Sequence, residues 1–146
     1  MIRWSTALAS LVVFAACASA QIHIDRRDVA IQGYDVVAYF TDHRAVRGST
    51  EHEVVWEGAT WRFASAAHAS TFRAAPDRYA PEYGGFCAYA MARGERVRID
   101  PEAWSIAGGK LYLNYSLSVR TRWSEDRADY IRDADRHWAE MLRGSR

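Results

Sequence analysis

The sequence predicts an α+β fold: a small antiparallel sheet made of two β-hairpins, packed by a short helix and a long C-terminal helix. Three observations predict it. Glu57-Gly58 and Gly108-Gly109 each separate two runs rich in strand-forming residues, the signature of hairpins. An Ala-rich stretch over residues 65–75 stops at Pro76, and proline excludes the α conformation just before it. Val119, Trp123, Tyr130, Ala134, Trp138 and Met141 recur at intervals of three, four or seven. Such spacing lays one apolar stripe along a helix over about residues 117–142.

The chain opens with a processing segment. Arg3 supplies positive charge, an apolar run covers residues 7–16, and Ala18-Ser19-Ala20 is a small-x-small cleavage site before Gln21. Residues 1–20 are therefore read as a signal peptide, which places the mature protein in the periplasm or outside the cell. Phe14-Ala15-Ala16-Cys17 offers a competing lipoprotein reading, in which Cys17 carries the lipid, but Phe14 stands where Leu is usual. A transmembrane helix needs roughly 20 apolar residues, and no stretch after Gln21 comes near that.

Removal of that leader takes away Arg3 and leaves 18 basic and 18 acidic side chains. A balanced chain lacks the basic footprint of a nucleic-acid partner. What remains, residues 21–146, reads as one domain, with no repeat, low-complexity tract or Pro/Gly/Ser linker. Cys87 is then the one thiol left, unpaired within its chain in an oxidising compartment.

Residues 29–40 form a short entry segment that ends in the apolar run Val36-Val37-Ala38-Tyr39-Phe40. A polar loop with His43, Arg44 and Gly48 leads to the first hairpin, Glu53-Val54-Val55-Trp56 against Thr60-Trp61-Arg62-Phe63. Ser65 caps the short helix. Residues 79–91 are irregular, and Gly84-Gly85 permits tight backbone there. The second hairpin sets Trp104-Ser105-Ile106 against Lys110-Leu111-Tyr112-Leu113-Asn114.

The residues that carry a family likeness are Ile31-Gln32-Gly33-Tyr34-Asp35-Val36-Val37-Ala38-Tyr39-Phe40, Phe63 with Phe72, and Pro76-Asp77-Arg78-Tyr79. To these add Tyr83-Gly84-Gly85-Phe86-Cys87-Ala88-Tyr89, Asp100-Pro101-Glu102-Ala103-Trp104 and Lys110-Leu111-Tyr112-Leu113-Asn114-Tyr115. In them the chain resembles the YHS-domain proteins, and more closely their exported stand-alone members, from about Asp28 to Met141. In metal-associated members of that family, cysteines are taken to bind soft metal ions. Laid residue by residue on residues 35–40 and 63–72, this sequence has Ala38 and Ala64 at two of the cysteine positions and His68 at the third. Soft-metal sites need several thiolates, so the family's metal chemistry does not transfer intact.

A mixed site is the replacement the sequence offers. Thiolate from Cys87, imidazole from His68 and thioether from Met91 would together suit copper. Each has a plainer reading: a lone cysteine behaves as a small hydrophobe, a histidine on an Ala-rich helix sits at the surface or is satisfied inside, and Met91 fills a gap. A thiol-dependent enzyme would join Cys87 and His68 with Asn114 or Asp100, yet no local motif flanks Cys87. Asp126, Asp129 and Asp133 among Arg122, Arg127, Arg132 and Arg136 read as a charge-paired helix face. A third class is a non-metal module for a small ligand or a partner protein, its pocket lined from Trp56, Trp61, Trp104, Tyr83, Tyr89, Tyr112 and Tyr115. The sequence thus points to an exported binding protein, with a small ligand or a soft metal ion as its partner, in preference to catalysis.

Overall fold

The computed structural model describes residues 22–145. The signal-peptide expectation and Cys17 lie outside the described residues. The class is α+β, as the pattern predicts. In chain order the elements are helix α1 (Ala38–Thr41), strands β1 (Ser49–Trp56) and β2 (Ala59–Phe63), and helices α2 (Ala66–Ala74), α3 (Pro76–Tyr79) and α4 (Ala88–Met91). Strands β3 (Asp100–Ala107) and β4 (Lys110–Asn114) follow, then helices α5 (Leu117–Glu125) and α6 (Arg127–Gly144).

Both hairpins close through two residues in the left-handed region, Glu57 (φ 53°) with Gly58 (φ 74°) and Gly108 (φ 57°) with Gly109 (φ 74°). Two positive φ angles in succession match the right-handed twist of the flanking strands. Pairing is antiparallel in each, with Val54 opposite Trp61 and Trp104 opposite Leu113. In β2 the residues Ala59, Trp61 and Phe63 are buried while Thr60 and Arg62 are not, the period of two that a half-buried strand requires. The hairpins do not pair edge to edge; each is its own two-stranded sheet. What joins them is a shared core, in which Trp61 and Phe63 of the first ribbon and Leu111 and Leu113 of the second are buried with Ile31, Val36, Val37, Tyr39 and Phe72.

Helix α2 begins where expected, because the Ser65 hydroxyl accepts the His68 N–H at 3.1 Å. It buries Ala69 and Phe72, three residues apart on one face. Phe72 stacks 5.0 Å from both Trp61 and Phe63. Burying a side chain of that size contributes roughly 1.5–3 kcal/mol, so this aromatic trio anchors α2 on the first ribbon.

The tail differs from the single helix expected. It divides at Asp126 (φ −134°, ψ 40°), after α5 and before α6. No glycine or proline marks the spot. The reason is a change of partner: α5 packs against β3 and β4, whereas α6 runs along α4. The stripe residues still face inward, Trp123 and Ala134 being buried in a second core with Tyr83, Ala88, Met91 and Tyr112. No helix among the described residues is long and apolar enough to cross a membrane.

Candidate functional site

The first site built by the fold joins Asp35 to His68. Asp35 sits inside an apolar run and is 0% exposed. Its Oδ1 accepts the N–H groups of Val37 (2.9 Å) and Ala38 (3.1 Å), closing the start of α1. Its Oδ2 accepts the Ala64 N–H at 2.9 Å and the His68 Nδ1–H at 2.6 Å. The imidazole, with its side chain 20% exposed, turns Nε2 toward the Thr41 hydroxyl at 3.4 Å. One buried acid thereby ties α1, the end of β2 and α2 together.

Cys87 lies elsewhere, in the main core and 1% exposed. Its Sγ–H faces the Asn114 Oδ1 at 3.6 Å, and the same oxygen accepts the Tyr89 N–H at 3.0 Å. Burial pushes the thiol pKa up, and the backbone N–H groups of Ala90, Tyr115 and Tyr89 offset this only in part. A thiol held protonated is a poor nucleophile. Met91 follows one helical turn later, its N–H donating to the Cys87 carbonyl at 2.9 Å, but its side chain belongs to the second core. Among the described residues no hydrogen bond or ion pair joins His68 to Cys87 or Met91, and no group of three or more His, Cys, Asp or Glu stands where it could hold a metal ion. Of the thiol-enzyme set, Asn114 does meet Cys87, whereas His68 is held by Asp35 and Asp100 Oδ1 accepts the Glu102 N–H at 2.9 Å.

The third feature is a cleft of about 340 Å³ lined by Gln32, Arg98, Ile99, Asp100, Pro101 and Tyr115. That volume lies at the lower end of the range for small-molecule sites, roughly 300–1,000 Å³. Arg98 stands over the Tyr115 ring, 5.4 Å from its centre, and donates to the phenolic oxygen at 3.4 Å. Gln32 reaches across to donate to the Ile99 carbonyl at 2.9 Å. Beneath, the Tyr39 hydroxyl donates to the Pro101 carbonyl at 2.8 Å, and burial pushes the Tyr39 pKa upward. Among the described residues neither Arg98 nor Asp100 enters an ion pair. The cleft therefore presents one positive and one negative group to a visitor.

The edge of this cleft is strained. Ile31 (φ 50°) and Gln32 (φ 55°) are consecutive non-glycine residues in the left-handed region, an arrangement costing of order 1–3 kcal/mol at each position. The Ile31 side chain lies against Gly85, where a Cβ would come within 2.2 Å of its Cδ1. Gly85 itself has φ +84°, a conformation that favours glycine whatever the space around it.

Of the aromatics read as pocket candidates, Trp61, Tyr83 and Tyr112 are core, and Tyr115 alone lines the cleft. Sequence reasoning missed Asp35, Gln32 and Arg98. Asp35 carried a signal, being a charged residue amid Val36, Val37, Ala38 and Tyr39; Gln32 and Arg98 carried none. Set against family models, curated proteins and solved structures, the chain has no match.

Proposed function

We propose that this chain is an exported binding protein of the YHS-domain class, which takes a small zwitterionic solute in the cleft and has no turnover of its own. The observation that carries the reading is the cleft itself, lined by a guanidinium and a carboxylate that enter no ion pair among the described residues. Arg98 would receive the ligand's carboxylate, and Asp100 its ammonium group. Gln32 and the Tyr115 hydroxyl supply neutral polar contacts beside them. The strain at Ile31 and Gln32 supports the same reading, since strained backbone persists where the surrounding structure holds it and clusters at ligand clamps.

Soft-metal binding is the second reading. It is favoured by one observation, that Cys87 caps α4 and Met91 stands one turn later on it, a thiol and a thioether of the kind that suits Cu(I) once the metal displaces the thiol proton.

Thermal unfolding in the presence of each free amino acid tests the first reading. A ligand at a hundredfold its Kd adds about 2.7 kcal/mol, so a binder raises Tm by several degrees, and Arg98→Ala and Asp100→Asn abolish the rise. No shift with any solute, or a shift kept in both variants, refutes the cleft as the site. Anaerobic Cu(I) titration against a competing chelator separates the second reading: tight one-to-one binding lost in Cys87→Ala would replace the first.

A further inference from the structure

We infer that this domain is two tandem copies of one folding unit, residues 31–80 and 82–131, and that the buried face of each copy is a docking surface made for the other. The elements recur in order and in length at an offset of 51 positions. Strand β1 (Ser49–Trp56) returns as β3 (Asp100–Ala107), β2 (Ala59–Phe63) as β4 (Lys110–Asn114), and α2 (Ala66–Ala74) as α5 (Leu117–Glu125). The start of α3 at Pro76 returns as the start of α6 at Arg127. Even the irregularity of the ribbons repeats, falling between Ser49 and Glu53 in one and between Asp100 and Trp104 in the other. The one-turn helices α1 and α4 keep a length of four residues and stand one position out of this register.

Backbone angles repeat with the elements. Left-handed residues pair at the same offset: Gln32 with Tyr83, Gly33 with Gly84, His43 with Gly94, Glu57 with Gly108, and Gly58 with Gly109. Ten of the thirteen left-handed positions among the described residues belong to these five pairs. Such backbone is sparse, above all away from glycine, and turns formed independently would not line up in this way. Ala75 (φ −151°, ψ 64°) and Asp126 (φ −134°, ψ 40°) end their helices at matching points, so the division of the tail repeats the one before Pro76. Side-chain contacts follow. The Ser65 hydroxyl accepts the His68 N–H at 3.1 Å, and the Ser116 hydroxyl accepts the Val119 N–H at 3.2 Å. Trp61 stacks on Phe72 at 5.0 Å, and Tyr112 on Trp123 at 5.2 Å.

The sequence reads as free of repeats because identity survives at few positions, among them Gly33 with Gly84, Arg47 with Arg98, Gly58 with Gly109, Ser65 with Ser116 and Tyr79 with Tyr130. The structure corrects that expectation. Positions that carry the sites have diverged: His68 stands where the second copy has Val119, and Asp100 where the first has Ser49. What recurs is what the fold requires, namely turns, caps and an aromatic pair. A chain of roughly 60 residues buries only about 60% of its surface and is marginal by itself. Here Trp61 and Phe63 of the first copy close on Ile99, Leu111 and Leu113 of the second in one core. The partner that this apolar face fits is a like unit.

The test has two arms, both on the full chain. In the first, each copy receives the other's aromatic pair: Trp61→Tyr with Phe72→Trp, and Tyr112→Trp with Trp123→Phe. Equivalent pockets take the exchanged pair at little change in volume, so each double variant should lose less than about 5 °C of Tm and less than its two single variants summed. In the second, a protease site on a flexible linker is inserted between Ala80 and Pro81, at the joint of the copies, or between Gly108 and Gly109, at an exposed turn inside one copy. After cleavage, separation in urea and dilution, pieces cut at the joint should recover the parent's tryptophan emission and elute as a one-to-one complex. Pieces cut at the turn should recover less than about half as much. Additive losses in either exchange, or a double variant that does not fold, would overturn the equivalence of the copies. Recovery no better from the joint cut than from the turn cut would overturn the docking surface. No exchanged residue lines the cleft, so failure here is separate from failure of the cleft reading.

Discussion

Replacing Asp35 with alanine should be among the most damaging single changes to this fold. Four donors lose their acceptor: the N–H groups of Val37, Ala38 and Ala64, and the His68 Nδ1–H. They do not lose equally. Val37 and Ala38 are buried, so their N–H groups go unsatisfied at roughly 1–3 kcal/mol each. Ala64 is exposed and His68 partly so; water can replace the lost bond, and these two together cost about 1 kcal/mol. The sum is about 5 kcal/mol, a large fraction of the 5–15 kcal/mol that holds a domain of this size together. Asp35→Asn should cost less, about 2 kcal/mol, because Oδ1 is kept while an amide N–H₂ now confronts the Ala64 N–H. His68→Ala leaves all three backbone bonds to Asp35 in place and should cost about 1 kcal/mol. Urea unfolding followed by tryptophan fluorescence gives the order, read from midpoints at constant slope. A loss below about 1 kcal/mol in Asp35→Ala, or one no larger than in His68→Ala, would refute the claim that this acid is the clasp between α1, β2 and α2.

Three further outcomes follow from the same contacts. Burial, reinforced by the nearby Asp135 charge and opposed by Lys110, raises the Glu82 pKa. A carboxyl with a raised folded pKa binds its proton more tightly in the fold than in the unfolded chain, so its stabilising contribution, present in acid, is lost as pH rises through the folded value. Glu82→Gln should therefore exceed the parent in stability at neutral pH by no more than about 1 kcal/mol, since solvent still screens the group. That gap should close below about pH 4; a gap that widens in acid contradicts the sign. Cys87, buried and with its pKa raised, should react with a disulfide reagent at about pH 8 at least about a hundredfold more slowly in the native chain than in denaturing urea. Equal rates would show that the thiol is open. Gly48→Ala should cost about 3 kcal/mol, because its Cβ would stand 2.3 Å from the Arg62 carbonyl carbon, backbone against backbone. Gly58→Ala, with φ +74° and nothing within 4 Å, should cost only about 1 kcal/mol, and calorimetric Tm values of the two variants decide the ranking.

The parts of this protein legible in its sequence are those set by neighbours along the chain. Glu57-Gly58 and Gly108-Gly109 announce their turns because left-handed φ is a local demand. Ser65 and Pro76 frame α2 because capping and proline sterics act within a few residues. The apolar stripe of the tail marks which side faces in, whatever it packs on. The break at Asp126 is not of this kind: the helix ends there because its two halves rest on different elements, and no residue at that point encodes the choice. The same holds for the sites. The composition of the chain singles out Cys87, His68 and Met91 as chemistry-bearing residues, but nothing local sets which side chains meet across it. Packing paired His68 with Asp35, 33 positions away, and Cys87 with Asn114, 27 positions away. Gln32, Arg98, Asp100 and Tyr115 became one cleft only when the entry turn came to rest against the start of the second ribbon. Local stereochemistry determined the elements; the burial of two shared cores decided which of their side chains became neighbours.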